Sequence, residues 1–301
     1  MLANDNSKII SKIPEILEVN RINFAKVNKI LTEQSFAKNA RKIFVYKITY
    51  RSQGHKVVGF IVEPRKGANL PCIIYNRGGS GEFGALKNSA LFSKLPAELA
   101  LNGYVVIASQ YSGNAGGEGK DEMGGSDIND VLILQKILKK YSRVDANKIG
   151  MYGLSRGGAM TYLALSKVKW IKAVVTVGGM TNLARTEKLR PKMGEHFKKI
   201  FGENLKEKSK RSAILWVDRF YKKSPLLIMH GGSDSRISPL DSIELAQKLL
   251  EFHIPHRFVL FEGASHDLNE HRDESIKMTV SWFDRFVKNN ESVPSTKLHN
   301  I

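Results

Sequence analysis

A single cysteine, Cys72, stands among the 301 residues of this chain. No disulfide can form within it, so nothing points to an oxidising compartment. Cys72 lies in an apolar run and reads as a small core residue. Long apolar runs are missing too. None approaches the ~20 residues that span a bilayer, and Met1 to Asn6 opens no charged-then-apolar leader. The cytoplasm is therefore the expected location, and no membrane partner is expected. Internal repeats, low-complexity tracts, zinc-finger spacings, basic heptads and the aromatic–basic pattern of RNA-binding sheets are also lacking. Acidic residues are scarce beside basic ones, 29 Asp and Glu against 47 Lys and Arg, giving a formal net charge of +18. The lysines are spread along the chain, as on a solubilising surface, so no nucleic-acid partner is expected. The surplus is uneven, however. Residues 181–223 hold 13 Lys/Arg and 5 Asp/Glu, a local surplus of +8.

Hydrophobic patterning sets the fold class. Residues 1–40 read as a helical N-terminal extension, on the stripe Ile9, Ile10, Ile13, Ile16 and Leu17, with Pro14 as a break or a helix start. Strand-like runs follow. Ile43 to Tyr50 and Lys56 to Glu63 form a hairpin about Gln53-Gly54. Short buried runs then alternate with helical ones, among them 127–141, 158–166, 239–252 and 270–288. The expectation is an α/β domain over 41–290, with eight strands in a mostly parallel, doubly wound sheet. A helical, basic insertion at 180–224 interrupts the rhythm and reads as a cap, because ligands of such sheets bind at the carboxyl ends of strands. Residues 291–301 read as a frayed tail.

Gly153-Leu154-Ser155-Arg156-Gly157 fits the G-x-S-x-G pattern of a nucleophile elbow, between a strand-like run and a helical one. Glycines are needed two positions either side of the serine, because the sharp turn presses those positions together. A serine alone is a weak nucleophile and needs a base and an orienting acid. Of eight histidines, His266 follows the last core strand, where a base belongs. His271 falls inside the next helix, and His230 reads as structural. Asp234 lies on the loop after the seventh strand and can accept from the imidazole. Asp241 reads as a first-turn helix residue, and Asp267 is too near His266 in sequence to orient it easily. The oxyanion donors are expected from the backbone N–H of Arg156 and from Gly78 or Gly79, in the Gly-rich turn after the third strand. No metal or organic cofactor is expected.

Four stretches carry a resemblance: Tyr75 to Gly79, Ser112 to Asp130, Asp145 to Gly158, and His230 to Ser242. Over roughly 45–290 the chain resembles an α/β-hydrolase, and more narrowly the catalytic domain of the prolyl oligopeptidase family of serine peptidases. The resemblance implies that Asp234 is the triad acid and that Arg236, in Asp-x-Arg, holds a substrate carbonyl. Arg77 stands where that family has an oxyanion tyrosine. Arg77, Arg236 and the cap aromatic Trp216 are thus candidate substrate-binding residues. The β-propeller of prolyl oligopeptidases proper is absent, so the cap takes its place as the expected gate. A short peptide is the expected substrate, or alternatively a small or medium acyl ester, with activity rising with pH as His266 loses its proton. The alternative from another class is a nonenzymatic module that binds an anionic partner through the basic cap.

Overall fold

A computed structural model describes residues 5–24 and 41–297. The chain forms two compact units, residues 1–121 with 129–149, and residues 122–128 with 150–301. The fold is α/β with a mostly parallel, open sheet. Nine strands are described, one more than the eight expected.

The first unit contains β1 (Ile16–Arg21), β2 (Ile43–Ser52), β3 (His55–Pro64), β4 (Leu70–Asn76) and β5 (Val105–Ser109), in spatial order β1-β2-β3-β5-β4. The extra strand is β1, and it corrects the helical expectation over Ile16–Arg21. Among the described residues, Ser7–Ile10 is helical, while Ile16–Arg21 pairs antiparallel with β2, from Ile16 opposite Tyr50 to Arg21 opposite Tyr46. Four of the five stripe residues are isoleucines, β-branched and suited to a strand as well. β2 offers Ile16–Arg21 an open edge on which to complete its backbone hydrogen bonds. Residues 25–40 lie outside the described residues. The hairpin of β2 and β3 turns on Gln53 (φ 49°) and Gly54 (φ 87°), the left-handed pair that a two-residue connection needs. A buried polar clasp fixes the start of the chain. Glu63 Oε1 accepts from Asn6 Nδ2 (2.7 Å) and pairs with Arg143 Nη1 (2.8 Å), and Tyr141 donates to Glu63 Oε2 (2.7 Å).

The second unit contains the end of β6 (Val144–Leu154), then β7 (Val174–Val177), β8 (Leu226–Gly231) and β9 (His256–Phe261). All three ladders between them are parallel. Their apolar runs are almost wholly buried in β7 and β8, as a sheet covered on both faces requires. Helix Arg156–Lys167 follows β6, and helix Pro239–Glu251 follows β8. Ser238 accepts from Leu240 N–H (3.3 Å) and Pro239 begins the helix, a cap-and-proline start. Residues 183–211 form three helices, Leu183–Leu189, Pro191–Phe201 and Leu205–Arg211. Among the described residues, no helix is long and apolar enough to cross a membrane.

Candidate active site

Ser155 sits at φ 57° and ψ −120°, a conformation that L-residues adopt only under constraint. The constraint is local. A Cβ on Gly153 would lie 2.3 Å from Gly157 O and 2.5 Å from Thr161 Oγ1, so only glycine fits where the strand folds back on the helix. Gly158 likewise packs on Gly179, whose Cα would lie 2.5 Å from an added methyl group. Ser155 N–H donates to Val177 O (2.9 Å), and Ser155 O accepts from Met180 N–H (3.3 Å). The serine therefore leaves β6 beside the end of β7, partly exposed, at the N-terminus of helix Arg156–Lys167. The positive end of that helix favours negative charge developing above it.

Gly178, the residue after β7, faces the other candidates. A methyl group there would lie 3.0 Å from both Cε1 and Nδ1 of His266 and 3.2 Å from Asp234 Oδ2. Elbow and imidazole thus flank one glycine. His266 Nδ1 donates to Asp234 Oδ2 (2.6 Å), and both residues are buried. That bond commits Nδ1 as the donor and leaves Nε2 as the ring's acceptor, the form a general base needs. Among the described residues, Ser155 Oγ makes no hydrogen bond to His266; such bonds in free enzymes are commonly long and close when substrate seats. The loop carrying His266 is held from below. Gly231, the last residue of β8, approaches Ala264 O so closely that a Cβ would lie at 2.3 Å, and Ser233 N–H donates to Ala264 O (3.0 Å).

Asp234 accepts four hydrogen bonds. Oδ1 takes Arg236 N–H (2.8 Å) and Ile237 N–H (3.1 Å), while Oδ2 takes His266 Nδ1 and His230 Nε2 (3.0 Å). Burial works against the charge, but the bonds from His230, His266 and the backbone outweigh it and hold the carboxyl well below the usual carboxylate range. The sequence reading gave His230 a structural bond to backbone. It does donate to Ile237 O (3.1 Å), but its bond to the acid was missed. The visible signal was spacing, since His230 and Asp234 are four residues apart across a strand end and a tight loop.

The competing acids lie elsewhere. Asp267 is exposed. Asp241 is in the first turn of its helix, where Oδ2 accepts from Thr181 N–H (3.0 Å) and Asn182 N–H (3.1 Å) and Oδ1 pairs with Arg185 (3.1 Å). These bonds root the helices at 183–211. Burial raises the Asp241 pKa in spite of these partners.

Arg156 has its side chain turned inward, with Nη2 on Asp127 Oδ2 (2.8 Å), which ties the elbow to residues 122–127. Arg236 is exposed, two residues beyond the acid. Trp216 is buried, donates Nε1–H to Ser209 O (3.0 Å) and packs edge-on against Phe220 (5.9 Å), which stacks on Tyr162 (5.8 Å). These contacts make it an anchor for residues 205–220 and leave its polar atom no part in substrate binding. Arg77, also expected to bind substrate, needs correction. It is 1% exposed, and its guanidinium donates to Gly78 O (2.9 Å), Phe83 O (3.4 Å), Gly81 O (3.2 Å) and Gln110 O (2.9 Å). A fork spent on four carbonyls holds its own loop. In that loop Gly79 has φ 71°, and a Cβ there would meet Phe83 O at 2.0 Å, so the turn itself demands glycine.

The arrangement offers a strained serine at a helix N-terminus and, across Gly178, a histidine whose tautomer is set by a buried carboxylate. That is the equipment of acyl transfer. The sequence profile of the Prolyl oligopeptidase family matches residues 91–290. The uncharacterized peptidase YtmA of Bacillus subtilis is 28% identical over 75% of this chain and 87% of its own length. Dipeptidyl-peptidase 5 of Porphyromonas endodontalis is 25% identical over 79% of this chain but 36% of its own. Among solved structures, the acylaminoacyl peptidase of Pyrococcus horikoshii has a TM-score of 0.72 at 21% identity, covering 87% of this chain and 44% of that one. The chain thus spans less than half of the latter two proteins.

Proposed function

The chain belongs to the prolyl oligopeptidase family and is a serine hydrolase, and on that premise we propose that it cleaves amide bonds of short peptides through an acyl-enzyme on Ser155. His266 Nε2 takes the hydroxyl proton as Ser155 Oγ attacks the scissile carbonyl. The Arg156 N–H, first in its helix, donates to the oxyanion that forms. Asp234 stays ionised and stabilises the imidazolium. His266 then gives its proton to the leaving amine, and water repeats the cycle on the acyl-enzyme. The helices at 183–211, rooted on Asp241, act as the cap that limits access, which suits short substrates.

The observation that carries this reading is the 2.6 Å bond from His266 Nδ1 to a fully accepted Asp234, beside a serine held in a strained turn. Parallel turnover of a dipeptide aryl amide and an aryl ester, with Ser155→Ala as control, tests it. Amide cleavage lost in the variant is the expected result. Ester-only turnover replaces the peptidase with a carboxylesterase. Turnover of neither, with salt-sensitive binding of an anionic polymer, favours the binding module.

A further inference from the structure

His230 and His266 share one oxygen, Oδ2 of Asp234, at 3.0 and 2.6 Å. Both rings and the acid are buried. The neighbours fix one proton of His230. Its Nε2 faces only acceptors, Asp234 Oδ2 and Ile237 O, so Nε2 carries hydrogen. Its Nδ1 lies 2.7 Å from Ser242 Oγ, a hydroxyl that can donate to it. Ser242 is fully buried on helix Pro239–Glu251, and His230 is near the end of β8. The ring is therefore clamped between a strand, a helix and the acid loop.

We propose that His230 is a positioning residue for the reaction: a histidine, locked by Ser242, that holds Asp234 Oδ2 in line with His266 and sets how much negative charge the base feels. It touches neither substrate nor reacting atoms. The charged groups around the acid are His230 from β8, His266 from the loop after β9, and the exposed Arg236 of the acid's own loop. His230 is the one of these that neither reacts nor faces solvent. Its bond has two consequences. The carboxylate cannot rotate away from His266 while Oδ2 is held from a second side. Its charge is also shared between two N–H donors, so the imidazolium of His266 is stabilised less than an unshared carboxylate would allow. Removing the second donor loosens the geometry and frees charge for His266, which then holds its proton to higher pH.

This inference rests on the acyl-transfer reading, and the test separates the two. The rate of fluorophosphonate labelling is measured from pH 5 to 9, per folded molecule, for the native chain, His230→Leu, His230→Gln and Ser242→Ala. Labelling of the native chain at Ser155 tests the reading itself. For the inference, His230→Leu is expected to label on the order of tenfold slower at pH 7, as for the loss of a bond to a charged group. Its acid limb moves to higher pH. Gln places an N–H near the Nε2 position and is expected to restore most of the rate and the native limb. Ser242→Ala frees the ring and is expected to move the limb the same way, by less. It carries the test alone if the leucine variant does not fold. A purely structural His230 lowers the melting temperature but leaves the limb where it was. An unmoved limb in His230→Leu or, if that variant is unfolded, in Ser242→Ala overturns the inference.

Discussion

Gly153 is the residue on which the elbow turns, and the contact explains why. With Gly157 O 2.3 Å from where a methyl group would stand, Gly153→Ala must push the helix away from the strand. Overpacking of this kind costs about 1–3 kcal/mol. The expected outcome is a lower melting temperature together with loss of labelling at Ser155, checked by thermal denaturation and the labelling rate. Arg77 makes a second prediction. Lysine keeps the charge but cannot reproduce a planar fork on four carbonyls, so Arg77→Lys is expected to destabilise by on the order of 2 kcal/mol in urea denaturation. These residues mark what a sequence displays at this scale. The strained turn at Ser155 and the pairing of Asp234 with His266 were legible because an elbow fixes the residue types two positions either side, and the order of the loops supplies the partners. Arg77 was not, because a charge in a Gly-rich turn reads the same whether it faces a ligand or its own backbone. The acid-binding half of His230 was hidden for the same reason.

The root of residues 183–211 is a carboxylate. Asp241 receives two backbone N–H groups, from Thr181 and Asn182, and the guanidinium of Arg185. Asp241→Ala leaves the buried Thr181 N–H without its acceptor, at about 1–3 kcal/mol, and removes a partner from the half-buried Asn182 N–H and Arg185. It is expected to raise proteolytic cleavage within 181–211 more than elsewhere, measured by limited proteolysis and mass mapping. The helices there were legible because their apolar positions recur at helical spacing, with Leu183, Phe197 and Met193 meeting Met123, Met180 and Ile237 in one cluster. The strand Ile16–Arg21 was not legible. Its hydrogen bonds come from β2, about 30 residues away in the chain, and no local pattern announces a partner at that distance.

At the scale of the molecule, the same carboxylate that orients His266 makes stability depend on pH. Asp234 titrates below its unfolded value when folded, so its contribution is fully present above about pH 4 and is lost as the pH falls below that. Burial moves Glu63 and Asp241 the other way, so their ionisation weakens the fold above their raised values and that penalty eases on acidification. Asp234→Asn is therefore expected to be less stable than the native chain at pH 7, with the gap narrowing at pH 3, measured by urea denaturation at both. The fold class was legible at this scale because short buried runs alternate with helices regardless of detail, whereas the strand count depended on one unannounced edge. The central claim is that Ser155 is the nucleophile. Labelling the folded chain with a fluorophosphonate and mapping the adduct by mass spectrometry tests it most directly. One adduct on Ser155, absent from Ser155→Ala, is the predicted result; a folded chain that stays unlabelled, or carries the adduct on another residue, contradicts it.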